Sequence, residues 1–160
     1  MSKELSIDLV YDAPIAAVSG MLADTAFREQ VCDAQHALSK SVAITGSTVS
    51  IRYAQAVTGV PGFAKKFVGD TIEVHQDEIW SADFTSGDLK LTLPGKPGSL
   101  SGIARLAENG TKTIETVTLT ATVNVPLISG KLEDLILSIF KKALEKEHEV
   151  GTRWLAVRAS

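Results

Sequence analysis

Hydrophobic and polar residues alternate at the start of the chain, Leu5, Ile7, Leu9 and Tyr11 against Ser6, Asp8 and Asp12, which is the two-residue period of a strand with one buried face. Asp12 and Pro14 then occupy the places of a helix N-cap and first turn, and Ile15, Val18 and Leu22 follow at helical spacing. Asp24 or Thr25 can cap a second short helix presenting Phe27, Val31, Ala34 and Leu38. From Ser41 onward the pattern predicts six more strands: 41–45, 48–58, 71–80, 83–93, 99–108 and 111–125. Breaks fall at Gly46, Pro61-Gly62, Pro94-Gly95 and Asn109-Gly110. The connections are short and Asn109-Gly110 is a hairpin signal, so neighbouring strands should pair antiparallel as a meander. The last strand sends Val117, Leu119, Ala121, Val123 and Val125 to one face and Thr116, Thr118, Thr120, Thr122 and Asn124 to the other. After Gly130 the period changes. Leu132, Leu135, Ile136, Ile139, Phe140, Ala143, Leu144, Val150 and Trp154 form one stripe on a helix of roughly seven turns, with Lys141, Lys142, Glu145, Lys146 and Glu149 mainly opposite.

Composition narrows the class. A length of 160 residues, 44% hydrophobic and 22% charged, suits one globular domain spanning 1–160 that folds alone. A formal net charge of -3 argues against nucleic acid as a partner. Lys3, Glu4 and Asp8 interrupt any apolar run at the N-terminus, and no later stretch approaches the ~18 apolar residues of a membrane span, so the expected location is cytoplasmic. Cys32 is the single cysteine, which excludes an intrachain disulfide and a thiolate-rich metal site and points to a buried, inert thiol.

The order strand, two short helices, six strands, long C-terminal helix resembles the α+β helix-grip fold of the START and birch-pollen-allergen superfamily, which also includes polyketide cyclase-like proteins. More particular landmarks are the runs Phe63-Ala64-Lys65-Lys66-Phe67-Val68-Gly69-Asp70, Pro94-Gly95-Lys96-Pro97-Gly98-Ser99-Leu100-Ser101-Gly102, Val125-Pro126-Leu127-Ile128-Ser129-Gly130-Lys131-Leu132-Glu133 and Arg153-Trp154-Leu155. These look like an uncharacterised bacterial domain family within that superfamily, common among actinobacteria. The resemblance implies a seven-stranded curved antiparallel sheet around the C-terminal helix, with a cavity between them. It transfers no activity, since the superfamily includes lipid carriers, hormone receptors, cyclases and co-chaperones.

In that arrangement the cavity lining can be nominated from strand parity. Val49, Ile51, Tyr53, Gln55 and Val57 share one face, as do Ile72, Val74, Gln76, Glu78 and Trp80, with Phe84 and Leu91 from the next strand and Ile139 and Ala143 from the helix. Gln55, Gln76 and the Tyr53 hydroxyl interrupt an apolar wall, either to orient a hydrophobic ligand or simply to meet water at the sheet's open end. Glu147 falls on the buried stripe with Ala143, Leu144, Val150 and Trp154. A carboxylate there must reach water, an arginine such as Arg52, Arg105 or Arg153, or a ligand. Phe63 and Phe67 flank Lys65 and Lys66 in a short segment that serves as a gate over the cavity mouth, as a cap on the core or as a transient membrane contact. Two lysines, at ~1 kcal/mol each near an anionic surface, do not give stable membrane attachment.

Chemistry is thinly signalled. His75 alternates to the convex face with Glu73 and Asp77, His148 projects from the edge of the stripe, and His36 lies near the end of the second short helix, so the histidines do not converge. His75, Asp77 and Glu78 cannot all reach one metal from an alternating strand, and no catalytic triad, phosphate loop or dinucleotide fingerprint is readable, so no cofactor is expected. The leading expectation is noncatalytic binding or transport of a lipid-like or polyketide-like small molecule. Burying methylenes at ~0.8 kcal/mol each lets a chain of about ten offset the order of 4 kcal/mol or more lost on association. The alternatives are a cyclase or dehydratase-like enzyme using Tyr53, Glu147 or a lysine for proton transfer, and a co-chaperone-like interaction module with a filled interior. Pairing through the edge strand 41–45 would make a dimer, but the Thr-rich face of the last strand is too polar for an obligate interface core, which leans to a monomer.

Overall fold

The computed structural model describes residues 2–159. Seven antiparallel strands form one sheet: β1 (Ser2–Tyr11), β2 (Ser39–Thr45), β3 (Thr48–Ala56), β4 (Thr71–Trp80), β5 (Ser86–Thr92), β6 (Ser99–Asn109) and β7 (Lys112–Thr122), in the spatial order β1-β7-β6-β5-β4-β3-β2. Five hairpins generate β2 through β7 as a meander. The sixth neighbour relation is long-range, with β1 lying against β7 from Ser2↔Thr122 to Tyr11↔Thr113. Helices α1 (Ile15–Leu22) and α2 (Thr25–Ala34) carry the chain from one edge of the sheet, β1, to the other, β2. Asp24 caps α2 by accepting from the Ala26 amide at 2.8 Å. The β6–β7 turn closes at Asn109↔Lys112 with Gly110 at φ 65°, the left-handed conformation for which Asn-Gly turns are suited.

Helix α4 (Ser129–Ala159) crosses the concave face with Leu132, Ile136, Leu137, Phe140, Val150, Trp154 and Leu155 buried. Its 31 residues exceed the seven turns expected from the stripe. Two contacts fix its position. At Gly151 a Cβ would lie 2.8 Å from the Tyr11 ring, so the helix backbone rests directly on β1. Near the other end the wholly buried Glu133 accepts from the Val123 amide at 2.9 Å, tying the first turns of α4 to the chain leaving β7. On the convex side, hydroxyls pair across β1 and β7, Ser2 with Thr122 and Ser6 with Thr118, and Thr116 donates to Asp8. This is the wet face that the alternation predicted.

Several local expectations change. The segment at 62–68 is a helix, α3 (Gly62–Val68), which buries Ala64 and Val68 and leaves Phe63 37% exposed. Phe84 is not in a strand. It sits in the β4–β5 turn at φ 55°, where Asp83 accepts from the Ser81 and Thr85 hydroxyls, and its ring stacks on Trp80 at 5.5 Å. Leu38 lies beyond the end of α2 and is exposed, with its amide paired to the Ala54 carbonyl.

Candidate functional site

Beneath the middle of α4, the buried stripe of α2 and the concave faces of β4 and β7 bring four charged side chains together: Arg28, Glu78, Glu115 and Glu147. Arg28 follows Phe27 and shares its helix face with Val31 and Cys32, so α2 drives it into the interior. Its Nη1 and Nη2 donate to the two oxygens of Glu78 at 2.9 and 2.8 Å, and its Nε donates to the Leu22 carbonyl at the end of α1. The pair is 3% and 1% exposed. Glu78 also accepts from Trp80 Nε1 at 2.7 Å and from Gln76 Nε2. Burial opposes its ionisation, but the Arg28 charge and these hydrogen bonds hold the Glu78 carboxyl below the usual carboxylate range. Burial likewise works against the Arg28 charge and is outweighed by Glu78, Glu147 and Glu115.

The other two acids are poorly matched. Glu147 has one polar contact among the described residues, Arg28 Nη1 at 4.0 Å, with its side chain 13% exposed. Burial, reinforced by the Glu78 charge and only partly offset by Arg28, pushes its carboxyl up to about 7. Glu115 is 3% exposed and its Oε1 has no hydrogen-bond partner. Burial and the Glu147 charge raise it well above the ordinary value. The Tyr11 hydroxyl, also buried and unpartnered, is held protonated by burial and then by the charges of Glu147 and Glu115.

Space surrounds this cluster in three adjoining parts that share lining residues. A deep chamber of about 40 Å³ touches Glu115, Trp80 and Val117. A second of about 60 Å³ has Ile51, Leu91, Leu119 and Phe140 as apolar wall, with Tyr53 and Gln35 as polar points. Both are bounded by Arg28, Gln76, Leu89, Leu144 and Glu147. An outer groove of about 390 Å³, open to solvent, runs between the end of α2, the end of β3 and α4, and shares Gln35 and Ala143 with the second chamber. Pockets for drug-sized ligands measure roughly 300–1,000 Å³, a range that the groove reaches and the two chambers do not.

Comparison with known proteins places this architecture. Residues 6–155 match the family described as "Protein of unknown function (DUF2505)". The chain belongs to that family. None of the curated proteins compared with this DUF2505 chain matches its sequence. Among solved structures it is similar to TTHA0849 from Thermus thermophilus, with TM-score 0.72 and 16% identity over 99% of this chain and 100% of that one. It is also similar to the Zhui aromatase/cyclase from Streptomyces sp. R1128, with TM-score 0.74 and 12% identity over 100% and 97%, and to Ara h 8.0201, with TM-score 0.68 and 11% identity over 98% and 99%. At these identities the likeness is one of fold, the helix-grip fold that the order of elements resembled.

The nominated residues distribute unevenly over this DUF2505 fold. Ile51, Tyr53, Gln76, Leu91, Ala143 and Glu147 meet at the second chamber. Trp80 lies deeper, while Gln55 and Ile139 line the outer groove, where Gln55 donates to the Gln35 carbonyl. Val74 is wholly buried in the core and Phe84 is spent on Trp80, so neither lines the second chamber or the groove. Phe67 borders a further small cavity under α3, which shares Val57, Ile72 and Ile139 with the outer groove, and Phe63 lies beneath Lys131 Nζ. The arginines expected beside Glu147 are elsewhere or at the surface. Arg52 pairs with Asp77 on the convex face and Arg153 with Glu149 one turn along α4, whereas Arg28 comes from α2. His75 meets Glu73 at 3.3 Å, and His148 donates to the Val10 carbonyl. Among the described residues no group of three or more His, Cys, Asp or Glu is arranged to hold a metal ion, and no helix is long and apolar enough to cross a membrane.

Proposed function

We propose that the chain, acting as one domain, binds or carries a hydrophobic small molecule of lipid-like or polyketide-like character without transforming it. The observation that carries this reading is an outer groove that adjoins, across Gln35 and Ala143, an apolar chamber walled by Ile51, Leu91, Leu119 and Phe140, whose polar points among the described residues are Gln35, Gln76, Tyr53 and the Arg28–Glu147 edge. The interior is not filled, which weighs against a co-chaperone-like module. Native mass spectrometry of freshly purified protein, followed by organic extraction, should show a stoichiometric adduct, or saturable uptake of an apolar fluorescent probe. An Ala143→Phe variant, plugging the junction between groove and chamber, should lose that uptake while keeping its far-UV circular dichroism. Uptake unchanged in Ala143→Phe, or no uptake by the native protein, would sink the reading.

A catalytic role has one feature in its favour, the placement of Glu147 against the chambers with only a 4.0 Å approach to Arg28, where burial pushes its carboxyl up to about 7, near the pH at which a general acid or base works best. The similarity in fold to an aromatase/cyclase is compatible with it. Turnover of a polyketide-like substrate that is abolished in Glu147→Gln would favour this over binding alone.

A further inference from the structure

The geometry points to a cationic ligand head: the end that enters the chambers is that of a hydrophobic amine, received between Glu147 and Glu115. This rests on the binding role proposed above and deepens it by naming the ligand's polar chemistry. Among the described residues Arg28 is the one cationic side chain bordering the two chambers. Its charge is matched by Glu78, which accepts one N–H from each terminal nitrogen, and its Nε donates to the Leu22 carbonyl, so three of its five N–H groups are taken. A ligand carboxylate therefore finds no free cation there. What faces the space is a surplus of acid: Glu78, Glu115 and Glu147 against one guanidinium leave two negative charges when all are ionised. Glu115 is nine-tenths buried and more, borders the deep chamber, and has an oxygen with no partner. Glu147 has only its 4.0 Å approach to Arg28.

An ammonium group answers each of these features. It supplies N–H donors to the unmatched oxygens, neutralises one of the two surplus charges, and leaves its chain in the outer groove, where Val57, Val60, Ile72 and Ile139 offer apolar surface. An anionic head would add like charge beside buried carboxylates, where screening is weak. Lys142 and Lys146 stand at the groove's rim, and Lys146 is paired with Glu149. They face solvent, where salt screens them. Entry of an ammonium also favours the ionised form of the acids, so a proton held by the cluster leaves to the buffer. The groups facing Glu147 that share in this are Tyr11 from β1, Arg28 from α2, Tyr53 from β3, Glu78 from β4 and Glu115 from β7.

The test is isothermal titration calorimetry at pH 7 with octylamine, octanol and octanoate, in two buffers of different ionisation enthalpy. Octylamine should bind about 10- to 100-fold more tightly than octanol, the span of a hydrogen bond to a charged group, with octanoate weakest and with proton release for the amine alone. The amine-to-alcohol ratio should fall in Glu147→Gln and, independently, in Glu115→Gln. Octanol or octanoate binding as well as the amine, or a ratio untouched in both variants, overturns the cationic head and leaves the binding role standing. No binding of any of the three overturns both.

Discussion

Replacing Arg28 by Met tests whether the buried pair organises the interior. The substitution keeps a long unbranched stem but strands Glu78, 1% exposed, with Trp80 Nε1 and Gln76 Nε2 as its remaining side-chain donors. Breaking a buried pair by removing one partner costs about 3–5 kcal/mol, and the lost bond from Nε to the Leu22 carbonyl falls within that range. At about 2–4 °C per kcal/mol for a chain of this size, a loss near 4 kcal/mol lowers Tm by about 8–16 °C. Urea unfolding followed by circular dichroism and tryptophan fluorescence measures the loss. The double variant Arg28→Met, Glu78→Gln removes the stranded charge and should recover at least half of it, because burying a neutral amide costs far less than burying an unpaired carboxylate. pH supplies a second signature. In the native protein Glu78 has a depressed pKa, so its stabilisation is present above the unfolded value and is lost as pH falls. Without Arg28, burial, the largest influence, is opposed only by the Gln76 and Trp80 hydrogen bonds, so the carboxyl moves up and its contribution is lost as pH rises. The deficit of Arg28→Met should therefore shrink from pH 7 to pH 5. A loss under about 1 kcal/mol, or a double variant no more stable than the single, would refute the account.

Glu147 has a raised pKa, about 7 in the folded chain against 4.5 unfolded, so its stabilising contribution is full below 4.5 and is lost as pH climbs to about 7. The change is on the order of 3 kcal/mol. Glu147→Gln should flatten that part of the stability curve and be the more stable protein at pH 8, and parallel curves would argue against it. At Gly87 a Cβ would lie 2.6 Å from Trp80 Cδ2. Gly87→Ala should cost about 1–3 kcal/mol and shift tryptophan emission by disturbing the indole bond to Glu78, and an unchanged spectrum would show that the ring has room. Burial pushes the Cys32 thiol up to about 11 from 9.0. At pH 8 its alkylation by iodoacetamide should then run about 100-fold slower than in the urea-unfolded chain, whereas equal rates would mean that the second chamber is freely open.

Local pattern determined most of the architecture. Seven strands, their antiparallel order, the two helices after β1 and the long helix after β7 all follow from periodicity and turn chemistry, because a strand or helix buries one face and that face is written at a fixed spacing. Six of the nominated residues meet at one chamber for the same reason. The miss at Phe84 came from turn chemistry, since a side chain at positive φ ends an alternation without changing its hydrophobicity, whereas 62–68 is a helix of only seven residues, too short for its spacing to declare a period. The charged centre was present in the same parities. Arg28 stands on the stripe of Val31 and Cys32, and Glu115 continues the inward face of Val117 and Leu119. Spacing shows that such a residue points inward, but not which distant partner waits there. Arg28 and Glu78 are 50 positions apart and Glu147 lies on the last helix. Only the packing of α2, β4, β7 and α4 against one another decided that three carboxylates share a single guanidinium, and that space remains beside the two it does not neutralise.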